Sequence, residues 1–61
     1  MVEVGNVNDA VRNAVRLGGT VVVDPFAVSG VARIALILDS VGAIVGLWEP
    51  LEANTKANQH G

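Results

Sequence analysis

The chain has 61 residues, no cysteine and a net charge of −2, from four basic against six acidic side chains. A domain this small buries only ~60% of the surface its unfolded chain exposes, and with no cysteine and a single histidine, His60, in a polar tail, disulfide and metal staples are poorly supplied. At 51% apolar it is too hydrophobic for a disordered chain and carries no basic footprint for nucleic acid, so the expectation is association with a second copy.

Val2 and Val4 alternate with Glu3, a short strand signal at the start of the chain. The period then changes. Val7, Ala10, Val11, Ala14 and Val15 share one helical face, and Asp9, Arg12, Asn13 and Arg16 share the other. Asn6 or Asn8 can cap this helix by accepting a free backbone N–H. Asp9 near its start and Arg16 near its end both suit the helix dipole. Gly18-Gly19 stops it, because glycine reaches the left-handed conformation common just past a helix end.

Thr20-Val21-Val22-Val23 is a β-branched run that reads as a strand closed by Asp24-Pro25. Residues 26–30 read as a connection, with Gly30 its permissive point. The next strand covers residues 31–38 and is apolar on both faces apart from Arg33, which predicts cover on both sides. Asp39-Ser40-Val41-Gly42 is turn chemistry. Residues 43–48 form a last strand, paired with its predecessor as a hairpin and ended by Pro50. Residues 51–61 read as a flexible polar tail.

The most apolar stretch, residues 31–48, is interrupted by Arg33, Asp39 and Ser40 and falls short of the ~20 apolar residues that span a bilayer. No signal peptide is visible at the start. The expectation is a soluble cytoplasmic protein with neither membrane nor nucleic acid as partner. The fold class is α+β in the order β-α-β-β-β.

Several segments carry a family resemblance over residues 2–50. Val7-Asn8-Asp9-Ala10-Val11 opens the helix and Leu17-Gly18-Gly19-Thr20 closes it. Asp24-Pro25-Phe26-Ala27-Val28-Ser29-Gly30 precedes Ala32-Arg33-Ile34-Ala35, and Asp39-Ser40-Val41-Gly42-Ala43 precedes Gly46-Leu47-Trp48-Glu49-Pro50. This ordered set resembles one module of the vicinal oxygen chelate superfamily, which includes glyoxalase I, bleomycin resistance proteins and extradiol dioxygenases. The ending is similar to the family's DPxGAxxGLWxP, with Ser40 where proline is usual.

The resemblance implies two β-α-β-β-β modules forming a cupped sheet around a cavity, here by homodimerisation. It also implies metal ligands on the first and last strands of each module in the metal-dependent members. The last-strand ligand falls at Gly46, which has no side chain to donate, and the first-strand ligand falls before residue 1. The implied function is therefore a small-ligand binding module without metal catalysis, taking a small hydrophobic or anionic ligand and no cofactor. Two alternatives stand beside it: part of a metal-dependent lyase or dioxygenase completed by another chain, and a truncated remnant whose only property is self-association.

Strand alternation puts Ile44, Gly46 and Trp48 on one face and Ala43, Val45 and Leu47 on the other. If Gly46 marks the cavity side, Trp48 lines it and Leu47 packs under the helix. Trp48 then either stacks on a ligand or fills core or interface space. For Arg33 three readings stand: an anion contact, an ion pair across a dimer, and a side chain that snorkels from an edge. Arg12 and Arg16 read as a solvated helix face. No second ligand stands near His60, so it is not read as a metal site. Among the remaining polar residues nothing singles out a catalytic group.

Overall fold

A computed structural model of the protein describes residues 1–51; the segment expected as a tail lies outside these residues from position 52 onward, His60 included. The protein is α+β. In chain order the elements are β1 (Val2–Glu3), α1 (Val7–Arg16), β2 (Thr20–Val28), β3 (Ala32–Leu38) and β4 (Ile44–Pro50). They build one mixed sheet in the order β1-β4-β3-β2. β1 runs parallel to β4, and the other two pairings are antiparallel.

The helix begins and ends on the chemistry its sequence supplies. Asn6 is the N-cap and its side chain accepts the Asp9 N–H at 2.9 Å. At the far end, the Gly18 N–H donates to the Val15 carbonyl at 3.0 Å and the Gly19 N–H to the Ala14 carbonyl at 2.8 Å. That pair of bonds, with Gly18 at φ +101°, is a Schellman motif, which satisfies carbonyls the helix leaves without partners.

α1 covers one face of the sheet. Val7 and Val11 on the helix, Ala35 and Ile37 on β3, and Leu47 on β4 form the buried core. Val4, Ala10, Ala14, Val21 and Val45 pack around it. Leu47 thus lies under the helix, on the face away from Gly46 and Trp48. Val15 does not complete the helical stripe and is 47% exposed.

Two expectations about the strands are corrected. β2 does not stop at Asp24-Pro25 but continues to Val28, so Phe26, Ala27 and Val28 belong to a strand and not to a connection. The register shifts between Val21 and Val23 and again between Val23 and Phe26, so the strand absorbs Asp24-Pro25 as an irregularity opposite Ala35. Proline is tolerated there because β2 is an edge strand with a bulge, where its missing N–H breaks no ladder bond. Ser29, Gly30 and Val31 then join the two strands between the paired Val28 and Ala32, with Ser29 and Gly30 at φ +50° and +70° and the Val31 N–H donating to the Val28 carbonyl at 2.9 Å. Positive φ at both central residues makes the turn over residues 28–31 type I′.

The second concerns β3, which among the described residues is covered on one side only. Ala35 and Ile37 face the helix at 0% and 6% exposure, whereas Ile34, Leu36 and Leu38 on the alternate positions are only half-buried. One ten-residue helix has a single face to offer, and among the described residues no element lies over the other side. The β3–β4 turn is as expected. Asp39 Oδ1 accepts the Val41 and Ala43 N–H groups at 3.0 and 2.9 Å, and Gly42 sits at φ +93°. Beyond β4, the Leu51 N–H donates to the Val31 carbonyl at 2.9 Å.

Candidate functional site

The uncovered face of the sheet is the candidate site. Pairing register fixes its membership: Ile34 lies opposite Trp48, Leu36 opposite Gly46, and Leu38 opposite Ile44. Phe26 lies opposite Ile34 on the other flank. Trp48 is half-buried, while Ile44 is 63% and Phe26 47% exposed. Large apolar side chains left open in this way on one contiguous strand face mark an interaction surface more often than a solvent surface.

Gly46 is not a vacant notch in this face. A Cβ built there would stand 3.1 Å from Met1 Cγ and 3.3 Å from Leu36 Cδ2. The place of a Gly46 side chain is taken by its neighbours' ends, those of Met1 and Leu36.

Of the four residues singled out in the sequence, the structure brings Trp48, Ile44 and Gly46 together on this face and places Arg33 on the opposite one. Arg33 alternates with Ala35 and Ile37 toward the helix and lies opposite Glu49 in the register. Its guanidinium is 3.9 Å from Glu49 Oε1 within the same chain. The Glu49 carboxylate in turn accepts the Val7 N–H at 3.0 Å. Val7 is the first residue of α1, so an acidic side chain from the end of β4 satisfies a donor that the helix leaves free, at the positive end of its dipole. Arg33 and Glu49 therefore hold the helix start onto the sheet. Sequence reading missed this role of Glu49, because its partner lies 42 positions away.

Other hollows lie on the helix side. One, of about 260 Å³, is lined by Ala14, Leu17, Gly19, Ile37, Asp39 and Ser40. Another follows Asp9, Arg12, Asn13 and Arg16 on the outer face of α1, where Arg12 pairs with Asp9 and Arg16 with Asn13. Those arginines are spent on their own helix, in line with a solvated face. Among the described residues no three His, Cys, Asp or Glu side chains come together as a metal site, and no helix is long and apolar enough to cross a membrane. The chain matches no protein-family model and no curated protein.

Proposed function

We propose that this chain is a small-ligand binding module of the glyoxalase and bleomycin-resistance type, acting as a homodimer without metal catalysis. One observation carries the reading: the sheet is covered by α1 on one face, while the other presents Phe26, Ile34, Ile44 and Trp48 with nothing described above it. A second copy closes that apolar surface and leaves a cavity beside Trp48. The element order β-α-β-β-β is the one that the sequence resemblance implies for a single module. Gly46 stands where that resemblance places the last-strand metal ligand, and it has no donor atom to offer.

Light scattering behind a sizing column, across a dilution series, tests the reading. A mass near twice 6.3 kDa that persists on dilution supports it. A folded monomer at all concentrations overturns the shared cavity.

A further inference from the structure

We propose that Asp24-Pro25 seals the free edge of β2, so that copies of this chain cannot add to the sheet strand by strand. Among the described residues β2 is an end strand of the sheet, with no strand on its outer side. Such an edge offers a row of backbone N–H and C=O groups to any second strand. β2 is long, at nine residues, against two for β1 at the opposite edge. Its two halves, Thr20-Val21-Val22-Val23 and Phe26-Ala27-Val28, are β-branched or apolar, the composition that stacks into intermolecular sheets. The one charge and the one proline of the strand fall together between them.

Three properties of this pair oppose strand addition. Pro25 lacks the N–H that a continuous ladder along the strand needs. The backbone around it is bent: five steps along β2, from Val21 to Phe26, match three along β3, from Ile37 to Ile34. β2 therefore carries two extra residues there, and a bulged edge does not lie flat against an incoming strand. Asp24, finally, is exposed and is the middle residue of the nine. Two copies paired antiparallel about a two-fold axis at the strand centre would set Asp24 against Asp24, and like charges directly opposite are unfavourable. The edge at β1 is blunted by its length alone.

The intact chain and a double variant carrying Asp24→Thr and Pro25→Thr test this, incubated side by side and followed by thioflavin T fluorescence and by the protein left in solution. The parent chain is expected to stay in solution. The double variant, folded by circular dichroism when dilute, is expected to become thioflavin-positive and leave solution. Aggregation through unfolding is separated by adding Val22→Lys to the double variant. Val22 is 48% exposed on the same strand, and a lysine there returns a charge to the edge without returning the proline. Recovered solubility supports a guarded edge. A double variant as soluble as the parent overturns the proposal, and so does aggregation that Val22→Lys leaves unchanged. Neither result bears on the small-ligand reading, which rests on a face of the sheet and not on its edge.

Discussion

Glycine at two positions shows how the surroundings decide what a residue contributes. A Cβ at Gly19 would stand 3.0 Å from the Ala14 carbonyl oxygen and 3.1 Å from that of Leu38. Both are backbone atoms held in the helix end and in β3, and neither can yield. Gly19→Ala is expected to cost about 1–3 kcal/mol, as overpacking does. At Gly46 the same added methyl meets the ends of Met1 and Leu36, which rotate away, and a strand glycine is intrinsically about 0.5–1 kcal/mol worse than alanine. Gly46→Ala is therefore expected to be neutral or mildly stabilising. Urea midpoints of the two variants, at unchanged slope, check the contrast.

Glu49 is the other residue whose surroundings give it weight. Its contact with Arg33 is long, at 3.9 Å, and Arg33 is one-third exposed, so solvent screening leaves that pair at roughly 0–1 kcal/mol. Its hydrogen bond from the Val7 N–H is the stronger part, since a bond to a charged acceptor contributes about 1.5–3 kcal/mol. Glu49→Ala should therefore destabilise the fold by about 1.5–3 kcal/mol, whereas Glu49→Gln, which keeps an acceptor oxygen, should lose less. Arg33→Gln should lose at most about 1 kcal/mol. Chemical denaturation of the three variants distinguishes the two roles; a loss in Arg33→Gln equal to that in Glu49→Ala would assign the ion pair the larger share.

At the scale of elements, local chemistry and tertiary position divide the work. The helix was legible from residue 7 to residue 19, because its cap, its apolar spacing and its glycine stop act within a few residues of one another. The Asp39–Gly42 turn was legible for the same reason. β2 was not, since Asp24-Pro25 ends a central strand but is tolerated at an edge, and edge position is a property of the sheet. The Ser29-Gly30 loop became a tight turn only once β2 ran on to meet it. Ser29 at φ +50° occupies a region costly for most L-residues and easier for asparagine, and Asn-Gly is a favoured type I′ pair. Ser29→Asn is expected to raise stability by about 0.5–1 kcal/mol, read as a higher midpoint in urea; a lower midpoint would mean that the serine hydroxyl makes a compensating contribution.

At the scale of the whole molecule, the central fact is a sheet that α1 covers on one face, with no described element over the other. A charge placed in the open apolar face tests what that face does. Ile44 is 63% exposed, so Ile44→Asp should leave the fold of a single chain within about 0.5 kcal/mol, the usual range for a surface change. In a dimer closed over this face, however, the carboxylate would be buried without a partner. The expected outcome is loss of the dimer by light scattering with the circular dichroism of the folded chain retained. Dimer persistence in this variant would move the interface elsewhere.

Of the candidate site, the grouping of Ile44, Gly46 and Trp48 followed from strand alternation alone, because side chains two apart on a strand must share a face. The side on which Arg33 falls needed the register between β3 and β4. That register sets Arg33 opposite Glu49 and brings both to the start of α1, through contacts distant in the chain. The helix, the hairpin turn and the α+β order were readable along the chain, since each rests on residues that touch their near neighbours. That β2 is an edge, that Glu49 accepts the first N–H of the helix, and that one apolar face is left open among the described residues all came from the fold. The physical reason is that a single helix can bury only one side of a sheet, and which side it takes is set by the packing of the whole chain.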